Sequence, residues 1–495
     1  MSDQAQTPLL DALNAAALRD RAVFHTPGHK QGQGSPHKFS QRVGFAMLQA
    51  DLPELPELDN LFAPEGVIEA AQRLAAEAFR AEATYFLANG STCGIEAAVL
   101  ATCQPGDRLI LPRNAHQSAI AALILSGATP GWIEPVADPG WGIAHAVTPA
   151  AVQAAIDRNP DAKAVLIVSP TYYGVCADLE SITRITHAHN LPLLVDEAHG
   201  AHFSFHPDLP MSALQAGADL AVQSTHKTLS ALTQAAMLHV QGNRIDRDRL
   251  RRALQLVQST SPNYLLLASL DAARQQMATQ GKALLSETIA LAERVRFQIS
   301  SIPGIRLLAP EPVARLGFPA LDPTRLTIEV SGLGFSGFAA DEILHQAFGV
   351  TAELPGMTTL TFILTFGNPI EDADRLVHAL QRLSHDYSTP PASPLLLPDV
   401  PLPMLDASQF PEEIIAPMSP RAAFFAPSQT LPVAKAIDRV SAELVCPYPP
   451  GIPLLLPGEV VTLEAIDRLQ QILKAGGMIT GCADLTLKTI RVVMH

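Results

Sequence analysis

The stretch Ala221-Val-Gln-Ser-Thr-His-Lys-Thr-Leu-Ser230 joins a short apolar segment to a histidine–lysine pair. A second apolar segment, Leu191-Pro-Leu-Leu-Val195, lies upstream and leads into Asp196-Glu-Ala-His199. Short, largely apolar segments of this kind are typical of the buried strands of a parallel sheet. In both cases the polar residues follow at the carboxyl end, which is where open α/β sheets carry their ligand sites. The two segments therefore predict an active site at the carboxyl edge of a parallel sheet.

The residues at these two strand ends fit a site for pyridoxal 5′-phosphate (PLP). A lysine can form a Schiff base with a carbonyl cofactor, and an aspartate can pair with a protonated pyridine nitrogen. We therefore interpret Lys227 as the Schiff-base lysine and Asp196 as the partner of that nitrogen. Each residue alone has a simpler explanation, because a lysine after a strand is usually a solvated charge and an aspartate there is often a helix N-cap. Ser224 and His226 beside the lysine, and His199 after Asp196, favour the site.

The composition is that of a large globular protein with an acidic surface. A chain of 495 residues exceeds one ordinary hydrophobic core, so two or three domains are expected. The formal net charge of −14 does not favour nucleic acid or an anionic membrane as a partner. No apolar run approaches the roughly 18 residues of a membrane span, and the N-terminus lacks the pattern of a signal peptide. The five cysteines, odd in number and without CxxC spacing, indicate reduced thiols in a cytoplasmic protein and no metal site.

Strand-like and helix-like segments alternate through the first half of the chain, which predicts an α/β domain with a mostly parallel sheet. The predicted strands are Thr84–Leu87, Asp107–Leu111, Ala164–Val168, Leu191–Val195, Ala218–Val222 and Ala236–Val240. The predicted helices between them include Ile95–Cys103, Ser118–Ser126 and Leu179–His189. We expect an N-terminal arm at 1–65, a large PLP-binding α/β domain at 66–275, a small α+β domain at 276–388, a proline-rich linker at 389–405 and a C-terminal domain at 406–495.

Four further residues are candidates for contacts with the cofactor. A strand, a small-residue turn and a helix follow one another from Thr84 to Cys103, an arrangement that directs backbone N–H groups at an anion. We therefore expect the phosphate at Ser91 and Thr92. His116 could stack on the ring, and Thr171 could bond the phenolic oxygen. Ordinary N-cap and turn chemistry would also explain these residues.

Five motifs, in chain order, resemble the Orn/Lys/Arg decarboxylase family, group III, of the fold-type I PLP enzymes. They are Phe24-His-Thr-Pro-Gly-His-Lys-Gln-Gly32, Pro112-Arg-Asn-Ala-His116, Val195-Asp-Glu-Ala-His-Gly200, Ser224-Thr-His-Lys227 and Tyr448-Pro-Pro-Gly-Ile-Pro453. The resemblance runs across nearly the whole chain. It points to the shorter bacterial members without an N-terminal receiver-like wing domain, among which are biosynthetic arginine decarboxylases. It implies the aspartate aminotransferase-like fold, with small and C-terminal α+β domains beside the large domain.

The resemblance implies decarboxylation of a basic amino acid, with L-arginine to agmatine and CO₂ in polyamine biosynthesis as the leading reaction. Lysine and ornithine are the alternative substrates. An aminotransferase or lyase on the same scaffold and a non-catalytic paralogue are more distant alternatives. Gln117 stands where relatives often have lysine, and Phe62 where some have histidine, which leaves the substrate preference open. A homodimer or higher homo-oligomer with shared active sites is also implied.

The resemblance assigns roles to residues at matching positions. The catalytic group is Lys227, His226, Asp196 and His116. The cofactor contacts are Ser91, Thr92, His116, Thr171, Asp196, His199, Ser224, His226, Lys227 and, reaching a neighbouring subunit's phosphate, Ser261. The candidates for binding the cationic substrate are Glu443 and His29.

Overall fold

The computed structural model describes residues 2–310, 316–386, 416–448 and 451–494. The chain forms two compact units, Met1–Thr102 with Pro192–Leu284, and Cys103–Leu191 with Leu285–His495. The expected linker at 389–405 lies outside the described residues. The expected boundary between residues 275 and 276 falls inside one continuous helix, Tyr264–Ser300. The division into large and small domains therefore stays a prediction.

Four strands form the sheet of the first unit, in the order Ala83–Leu87, Ala236–Val240, Leu220–Gln223 and Leu193–Asp196. Ala236–Val240 runs antiparallel to both neighbours, whereas Leu220–Gln223 and Leu193–Asp196 are parallel. Three of the four strands consequently point the same way, and Asp196 lies opposite Val222. Every residue of these last three strands is buried, which explains why they are almost continuously apolar in the sequence.

One helix of the first unit starts earlier than the sequence predicts. Gly90–Thr102 begins at a glycine with φ +74°, a conformation open to glycine that turns the chain from strand to helix. Ser91 and Thr92 therefore lie in its first turn. Gly94 allows the helix to approach the sheet, since a Cβ there would lie 2.7 Å from side-chain atoms of Leu87 and Val222.

The remaining helices of the first unit include those of the N-terminal arm. They are Pro8–Leu18, His37–Val43, Phe45–Ala50, Val67–Phe79, Thr225–Thr228, Arg247–Val257, the start of Tyr264–Ser300, and the 3₁₀ turns Pro56–Leu58 and Phe203–Phe205. Within the described ranges, no helix combines the length and apolar character needed to cross a bilayer.

The second unit contains two larger groups of strands. Arg108–Pro112 pairs in parallel with both Thr129–Ile133 and Ala162–Val168. The strand Thr129–Ile133 is absent from the sequence-based prediction because Pro130 and Gly131 weaken its pattern; proline is tolerated at the edge of a sheet, where this strand lies. The second group is antiparallel, in the order Arg306–Leu307, Arg325–Glu329, Thr359–Ile363 and Leu354–Pro355.

The other elements of this unit are short pairs of strands and several helices. The pairs are Ala137–Asp138 with Ile143–Ala144, Val175–Cys176 with Ala320–Leu321, Ser428–Pro432 with Thr489–Val493, and Cys446–Tyr448 with Met478–Thr480. The helices are Gln117–Ser126, Pro149–Arg158, Leu179–Ala188, Gly337–Ile343, Ile370–Asp386, Pro420–Phe425, Val433–Ala436 and Leu463–Lys474, with a 3₁₀ turn at Ser331–Leu333 and a π turn at Leu344–Phe348.

Candidate active site

Lys227 lies in the short helix Thr225–Thr228, directly after the strand Leu220–Gln223. Its backbone N–H donates to the carbonyl of Ser224 at 3.0 Å. Its amine nitrogen lies 3.1 Å from Nε2 of His199, a side chain that is buried. The tight turn after the strand thus directs the lysine toward the residues that follow the neighbouring strand.

Asp196 ends that neighbouring strand and is buried, with 7% of its surface exposed. Burial raises the pKa of its carboxyl above the usual range, while the charge of Lys227 and a 3.2 Å hydrogen bond from the backbone N–H of Ala198 oppose the shift. A buried carboxylate needs a positive partner to stay ionised. Asp196 and Lys227 therefore interact electrostatically, and their roles toward a cofactor stay predictions.

The serines predicted to bind phosphate meet in the first unit. The Ser224 hydroxyl donates to the Ser91 hydroxyl at 2.8 Å, and Thr92 is exposed in the same helical turn as Ser91. The hydroxyls of Thr225 and Thr228 are buried beside Lys227 and have no hydrogen-bond partner among the described residues. A pair of serine hydroxyls at a helix N-terminus is suited to binding an anion.

His226 is oriented by the backbone. Its N–H and its ring Nδ1 both contact the carbonyl of Ala235, at 3.2 and 3.0 Å. Because a carbonyl only accepts, Nδ1 carries a proton, and Nε2 is the nitrogen that can exchange one. In the neutral ring Nε2 is therefore a base; it becomes an acid when the ring is doubly protonated.

Two predicted cofactor residues lie in the second unit. His116 is the N-cap of helix Gln117–Ser126, and its Nδ1 accepts from the backbone N–H of Ser118 at 3.2 Å. Thr171 is buried, and its hydroxyl accepts from the N–H of Val175 at 3.2 Å. It also lines a cavity of about 120 Å³ within this unit, together with Asn114 and Tyr172. Both residues thus have the local structural roles that the sequence left open, and their contacts with a cofactor stay predictions.

Of the three outlying candidates, two are held by local contacts and one is exposed. His29 accepts from the N–H of Gly32 through Nδ1 and contacts the Asp51 carboxylate through Nε2, at 3.0 Å each. Ser261 is exposed. Glu443 is buried, and its two carboxylate oxygens accept from the N–H groups of Ala483 and Arg491 at 3.0 and 2.9 Å. These contacts give Glu443 a role in the C-terminal fold, and its binding of substrate stays a prediction.

A buried chain of four polar side chains, absent from the sequence-based prediction, lies behind Asp196. Glu197 accepts from the N–H of Ala213 and from Nε2 of Gln223, at 2.7 Å each. The Gln223 carbonyl contacts Nε2 of His239 at 3.1 Å, and His239 Nδ1 contacts the Thr84 hydroxyl at 2.8 Å. The chain crosses all four strands of the first unit and so ties the ends that carry Asp196 and Lys227.

The protonation state of His239 and the close packing beside Glu197 determine how these four side chains are hydrogen-bonded. Burial lowers the pKa of His239 to about 3, so the ring is neutral. Because Gln223 donates to Glu197, its carbonyl must accept from His239 Nε2–H, and Nδ1 must accept from Thr84. The glycine of the Asp-Glu-Ala-His-Gly motif also acts here, since a Cβ at Gly200 would lie 2.8 Å from Cγ of Glu197.

The first unit fits the chemistry of PLP on its own geometry. An amine is available for the aldehyde, a buried carboxylate for the pyridine nitrogen, and a cluster of hydroxyls at a helix N-terminus for the phosphate.

The family comparison covers most of the chain. The Orn/Lys/Arg decarboxylase major domain matches residues 7–372, and the C-terminal domain of the same family matches residues 405–480.

Individual relatives agree with this match. The chain is 41% identical to an arginine decarboxylase of Bacillus subtilis, over 99% of this chain and 98% of that one. It is 39% identical to an arginine decarboxylase of Halalkalibacterium halodurans, over 100% and 99%. The crystal structure of the lysine decarboxylase LdcF of Francisella novicida superposes with a TM-score of 0.84 at 23% identity, covering 99% of this chain and 81% of that one, and this shows a shared fold. The chain therefore belongs to the Orn/Lys/Arg decarboxylase family, and the predictions of a fold-type I α/β protein and of a PLP-dependent decarboxylase are confirmed.

Proposed function

We propose that the protein converts L-arginine to agmatine and CO₂, as a cytoplasmic enzyme of polyamine biosynthesis. The observation that carries the choice of substrate is the identity of 39–41% over the full chain to two arginine decarboxylases. The lysine decarboxylase LdcF is 23% identical to this chain. This similarity supports a shared fold, but the substrate of LdcF is not inferred for this chain.

We assign the residues that would hold PLP from the family resemblance. Lys227 would bind the aldehyde, Asp196 the pyridine nitrogen, and His116 the ring face. Thr171 would bond the phenolic oxygen and His199 would lie beside the cofactor. The phosphate would be bound by Ser91, Thr92, Ser224 and His226, with Ser261 contributed to a neighbouring subunit. When bound, PLP supplies an electron sink for the charge left on the substrate carbon as CO₂ departs.

The protein's own groups then control protonation and orientation. Asp196, whose charged form is favoured by the neighbouring Lys227 against the effect of burial, would hold the proton on the pyridine nitrogen. The carbon that loses CO₂ must be protonated, and Nζ of Lys227 is the better donor. His226 directs its Nδ1 proton at the Ala235 carbonyl, so its Nε2 donates only when the ring is doubly protonated. Binding energy at the distant guanidinium, for which Glu443 and His29 are the candidate residues, would hold the scissile bond in a reactive orientation.

We further propose a homodimer or higher homo-oligomer with shared active sites. The N-terminal arm supports this, because five large apolar side chains on it are exposed, which is more than isolated surface residues explain. They are Leu18, Phe24, Phe39, Phe45 and Met47. Light scattering of the purified protein measures the assembly directly, and a monomer at working concentration would contradict the proposal.

Product analysis tests the substrate. Purified protein with PLP is supplied separately with L-arginine, L-lysine and L-ornithine, and CO₂ and the amine product are measured. We expect the highest kcat/KM for arginine, with agmatine and CO₂ in equal amounts. Lys227→Ala should abolish turnover, while Lys163→Ala, which removes an exposed lysine of the second unit, should not. A higher kcat/KM for lysine or ornithine would overturn the choice of substrate without affecting the family.

A further inference from the structure

The loop that carries His116 is bound to a segment of the C-terminal region through Arg113. This arginine is buried, 2% exposed, and donates to the carbonyls of Pro453 and Leu454 at 3.0 and 3.2 Å. Its guanidinium also pairs with the buried carboxylate of Glu459 at 3.1 Å. A buried ion pair with this many hydrogen bonds fixes geometry, because either charge left alone is strongly unfavourable.

A second set of contacts reaches His116 itself. The N–H of Gln117 donates to the carbonyl of Gly451 at 3.1 Å. Gly451 has φ +89°, and a Cβ there would lie 3.3 Å from Cδ2 and Nε2 of His116. One edge of the imidazole is therefore held by Ser118 through Nδ1, and the opposite edge lies against the bare backbone of Gly451.

We propose that the segment Gly451–Glu459 positions His116, so that the C-terminal domain fixes the orientation of the imidazole. The inference rests on the proposed function, in which His116 stacks on the PLP ring. Gly451, Arg113 and Glu459 are then positioning residues, which act through His116 and need no contact with substrate or cofactor.

Two properties of position 451 favour glycine, and substitutions can test them separately. Its positive φ disfavours any side chain, and a Cβ there would require the His116 ring to shift by a few tenths of an ångström. Gly106 has φ +88° and nothing within 4 Å of the position of a Cβ. Gly106→Ala therefore carries the same backbone cost as Gly451→Ala without the contact to His116.

The test compares Gly451→Ala, Gly106→Ala and His116→Ala as full-length proteins loaded with PLP. The visible absorption band of the bound cofactor, its dissociation constant, kcat and KM are measured, with circular dichroism as a check of folding. We expect Gly451→Ala to shift the band and to lower kcat about tenfold or more with KM changed less, since small displacements in an active site can cost up to about 100-fold. Gly106→Ala should match the wild type in all four.

The outcomes distinguish failure of the positioning inference from failure of the proposed role of His116. If His116→Ala leaves both the band and kcat unchanged, the role of His116 in the proposed function fails. If His116→Ala is impaired but Gly451→Ala behaves like Gly106→Ala, the positioning inference alone is overturned. Should Gly451→Ala fail to fold, Glu459→Gln takes its place. It removes the charge that faces Arg113 while keeping an acceptor, and an unaltered band and kcat in this variant would overturn the inference equally.

Discussion

The amine nitrogen of Lys227 lies 3.1 Å from Nε2 of His199, although the two residues follow different strands. An ammonium group can only donate, so Nε2 of a neutral His199 is the acceptor whenever Lys227 is charged. His199 therefore holds the end of a flexible side chain. In the proposed function, the amine of that side chain is the group that the substrate amine replaces.

His199→Phe should lower kcat for arginine by about 10- to 100-fold, because the amine of Lys227 loses its anchor while the space stays filled. PLP should remain bound, and borohydride should still fix it to Lys227, as peptide mapping would reveal. His189→Ala removes an exposed histidine and serves as the control. A kcat within twofold of the wild type would mean that the contact is incidental.

Asp196→Asn should retain PLP and lose at least about 100-fold in kcat, a loss typical of removing one charge that stabilises a transition state. An amide keeps the shape and can still accept from the N–H of Ala198, but it cannot hold a proton on the pyridine nitrogen by its charge. Cofactor content and steady-state rates measured on one preparation separate the two effects. A variant that loses PLP in proportion to activity would indicate a binding role instead.

The positions of Lys227 and Asp196 could be predicted from the sequence because the signal is local. Each residue directly follows a short apolar segment, and such segments become buried strands whose ends share one edge. The pairing of Ser91 with Ser224 follows from the same rule, since a helix N-terminus and a strand end were both expected there. Local patterns likewise predict the helix Leu179–His189, which the structure has at Leu179–Ala188.

The remaining features depend on contacts between distant parts of the chain. Arg113 and Glu459 lie 346 positions apart, and neither has a neighbour in the sequence that suggests an ion pair. Glu197 is bonded by Gln223, and Gln223 in turn contacts His239; both of these residues lie on other strands, so nothing next to Glu197 in the sequence indicates the contacts. Hydrophobic periodicity identifies strands, but it carries no information about which polar side chains meet across them.

The N-terminal helix is capped by a residue from the far end of the first unit, and this makes a prediction about stability. Thr7, at the N-cap of Pro8–Leu18, makes no side-chain cap. Asp271 instead accepts from the N–H of Leu9 at 3.0 Å and pairs with Arg274, which is fully buried and also donates to the carbonyls of Gln4 and Gln6.

Asp271→Ala should destabilise the protein by about 3–5 kcal/mol, because the buried charge of Arg274 loses its partner. The midpoint of urea unfolding should fall, and amide exchange should rise across residues 8–18. Asp248→Ala is the matched control, since Asp248 also pairs with an arginine three residues later but on the surface. Equal effects of the two substitutions would contradict the proposed cap.

Glu197 should make the free energy of unfolding depend on pH. Burial raises its pKa to about 8, against hydrogen bonds from Gln223 and Ala213 that lower it. Between the unfolded value of 4.5 and this value, the folded protein keeps a proton that the unfolded chain releases. Stability is therefore lost as the pH rises through that window, and the loss is complete above the folded-state pKa.

Glu197→Gln should remove this loss without breaking the chain of hydrogen bonds. The new amide can accept from Ala213 and donate to Gln223, once the Gln223 amide turns over and His239 changes tautomer. The difference in unfolding free energy between variant and wild type should widen in favour of the variant by about 3 kcal/mol from pH 5.5 to 8.5. Urea unfolding at the two pH values measures it, with Glu180→Gln correcting for the loss of one exposed carboxylate. A difference independent of pH would mean that Glu197 is ionised in the folded protein at both pH values. The chain of hydrogen bonds from Thr84 to Glu197 would then end on a negative charge beside Asp196.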